Sequence, residues 1–463
     1  MNSEVTDQFG SLPIRPELQQ ALHAVNYVHM TPVQSKSTLS ILEGCDLLVQ
    51  AETGSGKTAA FAIGLLNKLD ISVFATQALI ICPTRELSEQ VAAEIRRLAS
   101  ALANTRVLTL CGGKPMHDQL NSLKVSPHVV VGTPGRLKKH LEKKTLSVKH
   151  VQTLVLDEAD RMLDMGFYDD IMDILDKTDH KRQTLLFSAT YPDEVVGISR
   201  TIQREPIEVR IVASDATAHI EQLFVFANSE QKTDTLFRAI GKYQPESAII
   251  FCNRKHQAQS VCDMLRERGY HARALHGDLE QRERDEALIL FSNKSITFLV
   301  ATDVAARGLD ITALSAVINY DATPDPETHI HRIGRTGRAG LSGLAITLVE
   351  PDETHHIRAL EKYSKLDISF GELKASNQQA AKPVRPPMTT LHINAGKKDK
   401  IRPGDIVGAL TNSAELTNDD IGKITVLAKL AFVAIVSEKA DVAMNILSNG
   451  KIKRQKVRAR ILR

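Results

Sequence analysis

At 463 residues, 43% of them hydrophobic and 24% charged, the chain is long enough for about three domains with ordinary cores. Residues 1–10 are polar and acidic with no apolar h-region, and runs such as Leu430 to Val436 are too short to span a bilayer; we therefore expect a cytoplasmic protein with no membrane partner. The formal net charge of +3 conceals an asymmetry, because residues 384–463 carry 15 Lys+Arg against 7 Asp+Glu, a balance of +8.

In chain order, the first informative segment is Leu47-Leu48-Val49, a predicted strand, followed after a short loop by the helix-like Ala59-Ala60-Phe61-Ala62-Ile63. The loop reads Ala51-Glu52-Thr53-Gly54-Ser55-Gly56-Lys57-Thr58. Successive backbone N–H groups there form an anion nest, Lys57 reaches terminal phosphates, and the Thr58 hydroxyl ligates Mg²⁺. A strict phosphate loop begins with glycine, and Ala51 takes that place; Gly54 and Gly56 still permit close backbone approach. Five cysteines (Cys45, Cys82, Cys111, Cys252, Cys262) lack C-x-x-C spacing, which favours buried reduced thiols over disulfides or a structural metal.

Val151 to Leu156 is a short apolar run that predicts a buried parallel strand, and Asp157-Glu158-Ala159-Asp160 follows it directly. Ligands of open α/β sheets bind at the carboxyl ends of strands. Asp157 there would hold Mg²⁺ through water and Glu158 would orient an attacking water. Alone, such an acidic cluster is more often a solvated turn; the phosphate loop upstream makes it half of a nucleotide site.

Two boundaries follow. Val212 to Thr217 is small and polar, and Lys374 to Pro387, with three prolines, reads as an extended linker. Between them, residues 218–373 repeat the strand–helix alternation, with Ala248 to Cys252 and Thr297 to Ala301 as buried strands. No second glycine-rich loop is present, so this domain is expected to complete the site of the first. The resulting division is 1–212, 218–373, a linker at 374–387, and 388–463. In the last segment, Thr389 to Ile393, Ile424 to Leu427 and Phe432 to Val436 read as strands. Pro403 opens a helix, and Ser437 is expected to cap another that ends at Asn449-Gly450. From Lys453 to Ile461 the residues alternate, with Val457, Ala459 and Ile461 on one face and Arg454, Lys456, Arg458 and Arg460 on the other. The order β-α-β-β-α-β is that of an RNA-recognition motif. Its aromatic signature is reduced to Phe432, with Leu430 and Ile435 in flanking positions, so a basic edge and loops are expected to contact RNA in place of base stacking.

Pro83-Thr84-Arg85-Glu86-Leu87, Gly112-Gly113, Thr133-Pro134-Gly135-Arg136, Asp157 to Asp160, Ser188-Ala189-Thr190, Ala301 to Asp310 and His331 to Arg338 stand in fixed order, and together they resemble the DEAD-box family of ATP-dependent RNA helicases. The resemblance implies two tandem RecA-like parallel-sheet domains plus a small C-terminal RRM-like α+β domain, with ATP and Mg²⁺ as cofactors. It places Phe9, Thr31 and Gln34 in an adenine-recognising Q motif, with Asn26 where the family has glycine. Arg335 and Arg338 become arginine fingers, Asp310 lies near the ribose, and His331, Ser188 and Thr190 couple hydrolysis to domain closure. RNA contacts are assigned to Arg85, Gly113, Thr133, Arg136, Arg254, Gln281, Arg284, Thr302 and Asp303. The tail, the linker and the run His276 to Arg282 resemble a bacterial branch of the family. Its members are RNA-dependent ATPases directed by the tail to a hairpin of 23S ribosomal RNA during large-subunit assembly, and a monomer is expected here. The competing readings are a cold-shock or mRNA-decay helicase of broader RNA choice, and an ATP-gated RNA clamp without physiological unwinding.

Overall fold

The computed structural model describes residues 8–51, 54–211, 220–306, 314–337, 342–364, 367–373, 383–412, 415–453 and 455–462. Glu52, Thr53, Asp310, Arg338 and Arg454, the boundary at 212–217 and most of the 374–387 linker lie outside these residues. The chain divides into two compact units between residues 214 and 215.

The first unit is built on seven strands, β1 (Leu47–Gln50), β2 (Ala78–Ile81), β3 (Val107–Leu110), β4 (Val129–Gly132), β5 (Thr153–Asp157), β6 (Gln183–Ser188) and β7 (Ile207–Arg210). They form one parallel sheet in the order β3-β4-β2-β5-β6-β1-β7. Nearly continuous Val/Ile/Leu runs suit strands covered on both faces. Their two-residue period sorts side chains into two cores. Leu47, Val49, Ile80, Val131, Val155 and Phe187 join the helices Pro32–Glu43, Lys57–Lys68 and Arg85–Leu98; Leu48, Leu79, Ile81, Val130, Leu156 and Leu186 join Pro134–Glu142, Tyr168–Leu175 and Asp193–Ile202. Each fully buried aliphatic side chain contributes roughly 1.5–3 kcal/mol.

The second unit begins with β8 (Ile220–Phe226), β9 (Ala248–Phe251), β10 (Ala272–Leu275), β11 (Phe298–Ala301), β12 (Ala316–Asn319) and β13 (Gly343–Val349). They pair in parallel as β10-β11-β9-β12-β13-β8. Counting β8 as the first strand, this is the order of the first sheet without its seventh strand, so the two sheets repeat one topology. The edge strand β8 is covered by residues 370–371, where the Gly371 N–H donates to the Phe224 carbonyl at 2.8 Å.

The last four strands, β14 (Met388–Ile393), β15 (Ile421–Val426), β16 (Ala431–Val436) and β17 (Ala459–Ile461), form an antiparallel sheet in the order β15-β16-β14-β17. Helices Pro403–Thr411 and Ala440–Asn449 complete β-α-β-β-α-β as the sequence predicts. Leu391, Ile393, Val433 and Ile435 pack with Ile406, Leu410, Ala443 and Leu447. Thr390, His392, Phe432 and Ala434 on the opposite face are buried too. The Thr390 hydroxyl bonds with Ser295 Oγ at 2.7 Å and accepts from Asn293 Nδ2 at 3.0 Å. The chain's own second parallel-sheet domain thus lies against the face on which an RNA-recognition motif stacks bases.

Two expectations are corrected. Ser437 does not cap the helix, which starts only at Ala440; its hydroxyl donates to the Pro386 carbonyl at 2.7 Å and fixes the end of the linker. The extended segment Lys453–Ile461 is a strand only at Ala459–Ile461, because β14 offers partners to just three residues. The alternation survives as burial: Val457 is inside, and Lys456, Arg458 and Arg460 are exposed.

Candidate functional site

The phosphate loop leaves β1 and enters the helix Lys57–Lys68 through Gly54 and Gly56, both left-handed at φ 84° and 96°. Thr31 and Gln34 cap the preceding helix reciprocally and hold this loop, the Thr31 hydroxyl donating to Ser55 O at 2.7 Å and Gln34 Nε2 to Gly56 O at 3.1 Å. Lys57, buried, donates its ammonium to Ala51 O at 2.8 Å. Thr58 is half-buried on the helix's first turn. Phe9 stacks on Tyr27, ring centroids 5.4 Å apart. Asn26 reaches φ 56°, so the turn that favours glycine is kept by a residue that tolerates the left-handed region. A Cβ on Gly56 would collide with Gln34 Nε2 and adopt a disfavoured φ. Gly56→Ala is therefore expected to weaken ATP-analogue binding about tenfold or more in a fluorescence titration; native affinity would contradict the loop geometry.

Asp157 ends β5, fully buried, and its Oδ1 has no hydrogen-bond partner. Burial foremost, opposed by Lys57 and reinforced by Glu158, pushes its carboxyl up to about 6. Such an orphaned carboxylate oxygen beside a phosphate loop fits a Mg²⁺ site, with Asp157 and Thr58 as the holders. Glu158 sits left-handed at φ 55°, a conformation that costs about 1–3 kcal/mol, and pairs with Arg161 at 2.7 Å, both side chains buried. Asp160 Oδ2 accepts from the backbone N–H groups of Ala189 and Thr190 and from the Thr190 hydroxyl at 3.0–3.2 Å, and its own N–H points at Ser188 Oγ. The acidic cluster and Ser188-Ala189-Thr190 are thus one bonded unit.

The remaining candidates follow the strand order. Arg85 follows β2, Gly113 follows β3, and Thr133 with Arg136 follows β4, the three adjacent strands β3-β4-β2; the nucleotide motifs follow β1, β5 and β6 in the other half of the sheet. The Arg85 guanidinium lies against Gly112 and Gly113, and Arg136 Nη1 donates to Lys114 O and Gln119 Oε1. The second sheet repeats the split. Arg254, the pair Gln281 and Arg284, and Thr302 with Asp303 follow β9, β10 and β11, and the helix Pro326–Ile333 that carries His331 and leads into Arg335 follows β12. His331 is half-buried and Arg335 buried. The Asp303 carboxylate accepts two hydrogen bonds from Arg332 at 2.7 Å.

A DEAD/DEAH box helicase model matches residues 31–198, the helicase conserved C-terminal domain matches 231–340, and the DbpA RNA binding domain matches 390–461. The chain is 49% identical over 456 residues to the ATP-dependent RNA helicase DbpA of Escherichia coli K12, covering 98% of this chain and 99% of that protein. It belongs to the DEAD-box RNA helicases of the DbpA type. The ATP-dependent RNA helicase CshA of Listeria monocytogenes is 46% identical over 77% of this chain and 69% of its own length. Among solved structures, Saccharomyces cerevisiae Dbp5 bound to RNA and ADP BeF3 superposes with a TM-score of 0.73 at 28% identity, covering 80% of this chain and 96% of that one. This DEAD-box protein is an ATP-dependent RNA helicase with a C-terminal RNA-binding domain, and no helix among its described residues is long and apolar enough to cross a membrane.

Sequence reasoning overlooked three features of this DEAD-box chain. Arg161 and Arg332 both look like solvated cations in the sequence, and both are buried partners of acidic motif residues. The third is which basic loops converge. Residues 394–402, 427–430, 450–453 and 455–458 meet at one end of the C-terminal sheet through Asn394 N to Arg458 O, Lys397 N to Leu427 O, Lys398 N to Ala428 O, and Lys453 Nζ to Lys400 O. Lys397, Lys398, Lys400, Arg402, Lys429, Lys451, Lys453, Lys456 and Arg458 are all exposed there. The run Lys397 to Arg402 was the legible signal.

Proposed function

We propose that this helicase is an RNA-dependent ATPase that opens short RNA duplexes locally, and that the basic end of its C-terminal domain directs it to 23S ribosomal RNA in 50S subunit assembly. The convergence of three basic loops carries the second half of this reading, since the covered sheet face leaves loops and edges for RNA. The domain division is 1–212, 218–373, a linker at 374–387, and 388–463, in a cytoplasmic monomer.

In the chemistry we propose, Lys57 exchanges the Ala51 carbonyl for phosphate oxygens, and the loop N–H groups around Gly54 to Lys57, with Glu52 and Thr53, cradle them. Phe9, Thr31 and Gln34 position the base and Asp310 the ribose. Mg²⁺ held by Asp157 and Thr58 supplies positive charge at the phosphates when bound. Glu158, aimed by Arg161, orients the attacking water. Arg335 and Arg338 neutralise the charge that spreads over the transferring phosphoryl oxygens. His331, Ser188 and Thr190 transmit the change to the RNA-facing edge, where Arg85, Gly113, Thr133, Arg136, Arg254, Gln281, Arg284 and Thr302 contact phosphates and 2′-hydroxyls without reading sequence. RNA contacts in the tail are assigned to Arg454 and Arg460 as well.

The test is ATPase stimulation by 23S ribosomal RNA against random RNA of equal length, in the native protein and in a variant carrying Lys397→Glu, Lys398→Glu, Lys456→Glu and Arg458→Glu. These positions are exposed, so the fold should hold. The native protein is expected to prefer 23S RNA. The variant should respond equally to both at saturation, with a shallower salt dependence of binding, about 0.7–0.9 less in log–log slope per lost phosphate contact. Equal ratios in both proteins would favour the broader cold-shock or decay helicase. Stimulated hydrolysis with no displacement of short duplexes would favour the clamp.

A further inference from the structure

Arg332 is the largest fully buried side chain among the described residues, 2% exposed, and it stands between two functional segments. Its Nε and Nη2 donate to the two Asp303 oxygens at 2.7 Å each, a bidentate fork. Nη2 also donates to Asn253 Oδ1 at 2.7 Å and Nη1 to the Asp321 carbonyl at 2.8 Å, with the guanidinium 5.2 Å from the Phe251 ring. One planar group therefore fixes the loop after β9, the loop after β11 and the end of β12. Asn253 and Arg254 are exposed on the first loop and Val304 on the second. Asp321 is anchored from below by Lys232, Gln257 and the Asn253 N–H, so the network is rigid on its inner side. On its own helix, Arg332 lies one turn before Arg335, whose N–H donates to the Arg332 carbonyl.

We propose that Arg332 is the positioning residue that couples the RNA-facing loops at 253–254 and 302–304 to the placement of the arginine finger Arg335. This rests on the reading above, in which those loops face RNA and Arg335 serves the nucleotide. A shift of either loop when RNA binds is passed through the Asp303 fork to the helix Pro326–Ile333, because a bidentate pair transmits direction as well as distance. Arg332 is 2% exposed and acts through these protein partners.

The experiment is steady-state ATPase under RNA titration, alongside ATP-analogue binding measured without RNA. Arg332→Lys keeps the charge and loses the fork; Asp303→Asn keeps the shape and loses the charge. Each should lower the ratio of RNA-saturated to RNA-free turnover about tenfold and raise the half-saturating RNA concentration, while ATP-analogue affinity is retained. The double variant should be no worse than the worse single one, because both break the same link. Asn253→Ala, at an exposed position that keeps the fold, should show the same signature at roughly fivefold, the equivalent of one hydrogen bond. A purely structural staple would lower thermal stability together with RNA-free and RNA-saturated turnover in parallel, and that result, additive losses, or an unchanged ratio would each overturn the proposal. Arg335→Ala run alongside separates the layers. Stimulation lost there and kept in Arg332→Lys overturns the coupling alone; stimulation kept in Arg335→Ala overturns the finger assignment beneath it.

Discussion

Glu158→Gln is expected to lower RNA-saturated ATP turnover by about 10²–10⁴ while leaving ATP-analogue affinity within a few-fold of native. The substitution keeps the volume at a left-handed position whose side chain is fixed by Arg161 at 2.7 Å, so the amide oxygen still accepts from that guanidinium. What disappears is the negative charge that draws a proton from water. The phosphate loop, held by Thr31 and Gln34, is untouched. Arg161 loses its counter-charge in a buried place, so some loss of thermal stability accompanies the change. Turnover at the native rate would remove Glu158 from the chemistry. A parallel loss of nucleotide affinity would mean that the substitution had disturbed the loop itself.

Arg335→Ala should cost about 10³-fold or more in RNA-stimulated turnover, the lower end of what an arginine finger supplies in phosphoryl transfer. ATP affinity without RNA should barely change, because in the proposed site the phosphate and base contacts belong to the first domain and a finger acts where charge develops in the transition state. Arg335 is buried between the helix Pro326–Ile333 and residue 314, whose N–H donates to its carbonyl, so thermal melting must accompany the kinetics. An ATP-affinity loss as large as the turnover loss would contradict the split-site account.

The parts legible in the sequence were those that local pattern dictates. β1, β5, β9 and β11 announce themselves as short apolar runs, and the glycine spacing at Gly54 and Gly56 matches two left-handed residues. The six elements of the C-terminal domain were readable because Pro403 and the alternating strands are local signals. Tertiary partners were not. A repeat of arginines at 332 and 335 looks like a solvated stripe, since nothing nearby in sequence says that Asp303 and Asn253 will converge on it. The alternation of β14 and β16 puts Thr390 and Phe432 on one sheet face, and nothing near them in sequence says that this face is buried, with Thr390 bonded to residues almost a hundred positions earlier. Lys397 and Arg458 belong to one surface only because β14 and β17 pair at Ile393 and Ala459. Ser437 resembled a cap because the linker carbonyl that it binds, Pro386 O, comes from a segment read as extended and free.

The central claim is that the three basic loops of the C-terminal domain choose the RNA on which the ATPase acts. Crosslinking the native protein and the Lys397→Glu, Lys398→Glu, Lys456→Glu, Arg458→Glu variant to total cellular RNA, then sequencing the bound sites, tests it most directly. The account predicts one dominant 23S ribosomal RNA hairpin for the native protein and dispersed sites for the variant. The same dominant site in both, or dispersed sites in the native protein, would contradict it.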